Sequence, residues 1–191
     1  MPTARILAFA GSARRDSLNK KLLQVAVAGA RAVGAEVTVL DLRDLPLPLY
    51  DGDLEVAEGL PANARTFKQH LRTHAGLLLA CPEYNSSLTP LLKNAIDWAS
   101  RADAGEAPLA CFEGKVAGLV AASPGALGGL RGLAAVRVLL GNIRVLVLPD
   151  QVAVAHAHEA FTADGALTDA RQDGEVRAVG ARLAAVVSRL G

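Results

Sequence analysis

The chain has 191 residues, enough for one ordinary domain with a full hydrophobic core, and its 51% apolar and 20% charged residues exclude the composition of a disordered segment. Twenty basic residues against nineteen acidic ones leave a formal charge of +1, with no block of like charge to serve as a nucleic-acid footprint or an acidic tail. The opening MPTARILAFAGSARR is too brief an apolar stretch for a secretion signal, and no later stretch approaches the ~18 apolar residues of a membrane span, so a soluble, cytoplasmic protein is expected.

Short apolar runs alternate with longer helical patterns. The first run, Arg5 to Ala10, reads as a strand and leads into the small polar loop Gly11-Ser12-Ala13-Arg14-Arg15-Asp16-Ser17-Leu18-Asn19. A helix from Leu18 to Val33 follows, with Ser17 suited to its N-cap. In a parallel α/β fold ligands sit beyond the carboxyl ends of the strands, where helix starts offer free N–H groups and partial positive charge. Ser12, Ser17 and Asn19 add donors there and Arg14 or Arg15 a full charge, which suits one terminal phosphate. The loop is neither G-x-x-x-x-G-K-[ST] nor G-x-G-x-x-G, which argues against nucleotide hydrolysis and against a dinucleotide in this turn.

A strand from Glu36 to Leu40 comes next, then Asp41 to Gly59, which with Pro46, Pro48 and several acids reads as a long surface loop. A helix from Pro61 to His74 precedes the third strand, Gly76 to Cys81. His70 and His74 have i, i+4 spacing, but Leu71 stands where H-E-x-x-H needs glutamate, so a half-exposed helix face is the simpler reading. After the third strand comes Pro82-Glu83-Tyr84-Asn85 and then a helix from Pro90 to Ser100, whose first residue needs no N–H partner. Trp98 reads as core, Lys93 and Asp97 as a helical ion pair, and Glu83 and Arg101 as candidates to pair with each other, within or between subunits. The chain continues with a strand Lys115 to Ala122, a Gly-rich turn containing Ser123, a helix Gly129 to Leu140, a strand Arg144 to Leu148 and a closing helix Asp169 to Leu190. His156 and His158 would share one face of an extended segment without a third ligand, and the isolated Cys81 and Cys111 suggest reduced thiols, so no metal is expected. Several strands are apolar on both faces, as a parallel sheet covered by helices on both sides requires. One doubly wound α/β domain across residues 1–191, with five parallel strands, is the expected fold.

The motif G-S-x-R-x-x-S-x-N at the first turn, P-L-Y-D within Leu47 to Asp51, P-E-Y-N followed by L-K-N-A-I-D-W, and Ser123 after the fourth strand together resemble the NADPH-dependent FMN reductase family, which includes chromate and quinone reductases and azoreductases. The resemblance implies a flavodoxin-like fold and FMN as cofactor, with Ser12, Arg14, Ser17, Leu18 and Asn19 at its phosphate. It implies that Pro82, Glu83, Tyr84, Asn85 and Ser123 line the isoalloxazine ring. It further implies NADPH or NADH as donor, a small oxidised acceptor such as a quinone, chromate, an azo compound or free flavin, and a homodimer or homotetramer. No side chain is expected to be catalytic in its own right, because the flavin carries the chemistry. Thr89-Pro90 stands where Pro-Gly is frequent in the family.

Two other functions fit the same fold class. A flavodoxin-type electron carrier would ordinarily be strongly acidic, which this chain is not. A phospho-accepting receiver needs an aspartate at the end of the third strand and an acidic cluster after the first, whereas Cys81-Pro82-Glu83 and Gly11-Ser12 stand there.

Overall fold

The computed structural model describes residues 2 to 190. Five strands, β1 (Arg5–Ala10), β2 (Glu36–Leu40), β3 (Gly76–Ala80), β6 (Val116–Ala122) and β7 (Leu146–Val154), form one parallel sheet in the order β2-β1-β3-β6-β7. A two-stranded hairpin, β4 (Glu83–Tyr84) with β5 (Ser87–Leu88), stands apart from it. The helices are α1 (Leu18–Ala32), α2 (Gly52–Glu58), α3 (Ala62–Arg72), α4 (Pro90–Ser100), α5 (Leu130–Asn142) and α6 (Ala170–Leu190). This is the flavodoxin-like strand order, whose direction of winding reverses between β1 and β3.

Strands β3 and β6 are buried at every position, as expected of central strands with both faces covered. Alternate residues divide the core into two layers. Ile6, Ala8, Leu78 and Val120 face α1 and α6, whereas Leu7, Phe9, Leu79 and Leu119 face α3, α4 and α5. Each fully buried Leu or Val in these layers contributes about 1.5–3 kcal/mol. Helices α1 and α6 cross in backbone contact. A Cβ on Gly29 would lie 2.0 Å from Arg177 O, and one on Gly180 would lie 1.9 Å from Ala26 O. Only glycine permits that approach.

The structure departs from the sequence reading at particular places. The segment 41–59 is not a plain loop: it holds a 3₁₀ turn (Leu42–Asp44) started by the Asp41 side chain, and then α2, whose cap Asp51 accepts from Asp53 N–H at 2.8 Å. The Pro48–Tyr50 stretch is fastened to α4, because Trp98 Nε1 and Asn94 Nδ2 both donate to Pro48 O at 2.8 Å and Tyr50 N–H donates to Asn94 Oδ1 at 2.8 Å. The last strand begins and ends later than the expected Arg144 to Leu148. Pro149 is tolerated inside it because β7 is an edge strand and its register with β6 shifts there. Glu83 and Arg101 do not pair: Arg101 donates to Tyr50 Oη at 3.1 Å, and Glu83 turns toward α5. Lys93 and Asp97 do pair, at 2.7 Å. His156 and His158 lie in an exposed turn, not on an extended face, and His156 has φ 47°.

His74 lies past the end of α3 and is buried, not half-exposed, its ring contacting His70 O at 2.7 Å and Thr38 Oγ1 at 2.8 Å. Burial pushes its pKa below the ordinary histidine value, against the opposing pull of the His70 carbonyl and with help from Arg5 and Lys115. The folded state therefore keeps His74 neutral while the unfolded chain takes up a proton near pH 6.5. Stability is expected to be complete above that pH and to fall as pH drops toward the folded-state pKa, by at most about 1.4 kcal/mol per pH unit for this one group. Urea midpoints of the wild type and His74→Gln between pH 7.5 and 5.5 check this. Equal slopes in the two proteins would remove His74 as the cause.

Cys81 and Cys111 are both buried free thiols. Burial raises the Cys81 thiol to about 12, which makes it a packing residue at neutral pH.

Candidate functional site

Three turns converge beyond the carboxyl ends of β1, β3 and β6. They enclose a cleft of about 100 Å³ lined by Ser12, Arg14, Ser17, Leu18, Asn19, Pro82, Glu83, Tyr84, Ala122, Ser123 and Pro124. Nine of the ten residues expected from the sequence line it. Asn85 does not, because it sits exposed at the tip of the β4–β5 hairpin. Roomier hollows of about 400 and 390 Å³ lie at the opposite, amino-terminal edge of the sheet. The smaller cleft is the candidate because it occupies the switch point of the sheet and receives the start of α1.

The first turn ends in a helix start left open. Ser17 occupies the N-cap position but makes no capping bond with its side chain, contrary to the sequence reading. The first α1 amide to reach backward is Lys21 N–H, bonded to Ser17 O at 3.1 Å, so the amides of Leu18, Asn19 and Lys20 precede the intrahelical ladder. Ser12 and Ser17 are each 4% exposed, and Ser12 Oγ accepts from Arg14 N–H at 3.3 Å, which curls the loop. Arg14 and Arg15 are exposed and stand in no ion pair among the described residues; only Arg14 lines the cleft. Unspent amides, two hydroxyls and a guanidinium at one helix start are the donor set of a phosphate dianion. An FMN phosphate fits it.

Asn19 is used otherwise than as a loop donor. Its Nδ2 donates to Ala122 O at 2.7 Å and its Oδ1 accepts from Ala122 N–H at 2.9 Å, so the side chain is paired with one residue of the third turn.

The second turn is a two-residue hairpin. Asn85 and Ser86 have φ 49° and 67°, the paired left-handed conformation of a type I′ turn, in which asparagine is favoured. Its start and exit are both tied down. Glu83 accepts from Gly132 N–H at 2.9 Å and from Arg131 Nη2 and Nε at 2.9 and 3.1 Å. Burial works to raise its carboxyl, but these bonds outweigh it and hold the pKa below the usual carboxylate range. Thr89 is 1% exposed; its hydroxyl donates to Gly11 O at 2.7 Å and accepts from Leu92 N–H at 3.3 Å, capping α4. Tyr84 is 50% exposed at the mouth. The third turn is sewn to the strand beside it, with Ser123 N–H donating to Val154 O and Ala157 N–H to Ser123 O, both at 3.0 Å.

Sequence reasoning missed Thr89, Arg131, Gly132, Ala122 and Pro124. Thr89 was findable, because Thr-Pro ahead of a helical run is an N-cap and first-turn pair. The partners of Glu83 carry no local signal, since they lie almost fifty residues away on another element.

Among the described residues no group of three or more His, Cys, Asp or Glu side chains is placed to hold a metal ion, and no helix is long and apolar enough to cross a membrane.

A five-stranded flavodoxin-like sheet with a phosphate-type helix start at its switch point is the arrangement of a mononucleotide-binding α/β protein. Residues 4–159 match the family model for NADPH-dependent FMN reductase. The chain is 37% identical over 166 residues to an NAD(P)H-dependent FMN reductase of Pseudomonas aeruginosa, covering 86% of this chain and 85% of that one. It is 33% identical over 195 residues to an NAD(P)H:quinone oxidoreductase of Solanum tuberosum, covering 99% and 95%. Among solved structures it resembles a flavoenzyme NAD(P)H:(acceptor) oxidoreductase of Paracoccus denitrificans, with TM-score 0.80, 27% identity and coverage of 99% and 100%. The chain belongs to the NADPH-dependent FMN reductase family, and is thus an oxidoreductase with FMN as cofactor and NAD(P)H as donor.

Proposed function

We propose that this protein binds one FMN in the switch-point cleft and reduces a small acceptor of the quinone class at the expense of NAD(P)H. The open start of α1, where a buried serine at the cap position leaves its own helix uncapped, is the observation that carries the reading. Ser12, Arg14, Ser17 and the backbone of Leu18 and Asn19 hold the phosphate. The hairpin that starts at Pro82, Glu83 and Tyr84, with Ser123, supports the ring, and peptide N–H and C=O groups of these turns supply donors and acceptors to its polar edge.

Bound there, FMN would supply the two-electron redox chemistry that links a nicotinamide donor to the acceptor. The chain's own part is orientation and polarity. The Arg14 charge and the α1 start anchor the phosphate, and Tyr84 at the mouth offers an apolar surface beside the ring for a flat acceptor. Glu83 is committed to Arg131 and Gly132, so it moves no proton. A homodimer or homotetramer in the cytoplasm, with residues 1–191 acting as one domain, completes the proposal. Support for the assembly comes from Leu49 and Val56, which are apolar and 78% and 89% exposed.

The test is anaerobic. Purified protein should carry FMN and no FAD by mass analysis of the released cofactor, NAD(P)H should bleach it directly, and a quinone should restore the colour. Donor and acceptor then use one open face in turn, so initial-rate plots should show parallel, ping-pong lines. A protein that releases FAD, or that nicotinamides cannot bleach, would sink the assignment; the second result would make it a carrier.

A further inference from the structure

The three turns of the cleft are fastened to one another by three side chains, each reaching from one turn to the next. Asn19 joins the first turn to the third through both polar groups of Ala122. Thr89, at the exit of the second turn, joins it to the first through Gly11 O. Glu83, at the start of the second turn, joins it to Arg131 and Gly132, which open α5 just after the third. The three links close a triangle around the cleft.

We propose that Asn19, Thr89 and Glu83 are positioning residues that fix the spacing between phosphate cradle and ring turn before any flavin is bound, and that the Asn19 side chain is not a phosphate ligand. The proposal rests on the FMN reading above. An asparagine side chain has one carbonyl and one NH₂, and here each meets the complementary backbone group of the same residue, so the amide plane is fixed. Turning it toward a phosphate would orphan Ala122 N–H and Ala122 O at a position where Asn19 itself is 4% exposed, and buried backbone groups do not stay unpaired. Thr89 is equally committed, as helix cap and as donor to Gly11. Close packing reinforces the same joint: a Cβ on Gly11 would lie 2.9 Å from Leu92 Cβ and 3.1 Å from Thr89 Oγ1, and one on Gly132 would lie 3.1 Å from Glu83 Cβ. A site ordered during folding does not have to be ordered again on binding, and its ligand is held more tightly for that reason. What the triangle sets is a distance between two half-sites, which matters to any ligand that spans both, with or without a phosphate.

Riboflavin and FMN share the ring and differ in the phosphate, so their titration into apoprotein, followed by flavin fluorescence, separates the two roles. Arg14→Ala should lower the preference for FMN over riboflavin roughly tenfold while leaving the melting temperature of the apoprotein in place. Asn19→Ala should weaken both flavins by about tenfold each, keep their ratio within about twofold, and lower the melting temperature of the apoprotein. If Asn19→Ala does not fold, Glu83→Gln, which keeps the side-chain shape, should show the same parallel and smaller weakening. Loss of FMN affinity alone in Asn19→Ala would overturn the proposal, because it would make Asn19 a phosphate ligand. Unchanged riboflavin binding in both Asn19→Ala and Glu83→Gln would overturn it equally. Wild-type protein that takes up neither flavin would instead sink the FMN assignment, and the proposal with it.

Discussion

Gly180→Ala is expected to lower the stability of the protein by about 2–3 kcal/mol, and Gly174→Ala, on the same helix, to leave it unchanged or raise it by up to about 1 kcal/mol. A new Cβ at Gly180 would sit 1.9 Å from the carbonyl oxygen of Ala26 and 2.9 Å from its carbon, which are backbone atoms that cannot swing aside. Helices α1 and α6 must then separate, and the Val176, Val179 and Leu183 contacts of that layer loosen with them. Gly174 has nothing within 4 Å of the corresponding position, so there the substitution brings only the better helix propensity of alanine. For a chain of this size the loss at Gly180 corresponds to a melting temperature lower by roughly 4–12 °C. Thermal and urea unfolding of the two variants side by side decide the matter. A Gly180→Ala protein as stable as the wild type would mean that the helices do not touch as described.

Arg14→Ala should weaken FMN binding roughly tenfold or more, whereas Arg15→Ala should change it little. Both side chains are exposed and outside any ion pair among the described residues, so neither has a structural role to lose. They differ in placement, because Arg14 lines the cleft beside Ser12 and Ser17 and Arg15 does not. A charge-assisted hydrogen bond to phosphate is worth about 1.5–3 kcal/mol, and about 1.4 kcal/mol is a factor of ten in affinity. The effect should shrink as salt is raised, since the site is open to water. Titrations of the two variants at low and moderate ionic strength check both points. Equal losses would spread the cradle over both arginines, and no loss in either would leave the α1 start and its hydroxyls to hold the phosphate alone.

The layered architecture was legible because its signals are local. Apolar runs such as Gly76 to Ala80 announce a strand buried on both faces, and Pro90 marks the first turn of α4. The lining of the cleft was legible too, through residues that follow directly on strand ends, as Ser12 and Ser123 do. What stayed hidden are relations across long separations. Nothing near Asn19 shows that its amide is spent on Ala122, 103 positions away, and nothing near Glu83 shows that Arg131 is its partner. The course of β7 was misread for a different reason. Pro149-Asp150 has the look of a strand terminus, and only the edge position and the register shift against β6 let the strand run on to Val154. In segment 41–59 the prolines hid a short helix whose cap, Asp51, is an ordinary Asx signal.

The crossing of α1 with α6 also bears on how the molecule is made in a cell. Helix α1 leaves a ribosome well before α6, which follows every other described element. At about 5–20 residues per second, α1, with Ala26 and Gly29 at the crossing, waits on the order of 10 s for the α6 part of the surface that covers it. The family match ends at residue 159, ahead of α6, so a fragment cut to that boundary would keep every turn of the cleft yet leave uncovered the side of α1 that faces α6. Such a nascent or truncated chain is expected to be aggregation-prone, and its soluble yield should rise with added holding chaperone more than with any change made at the cleft.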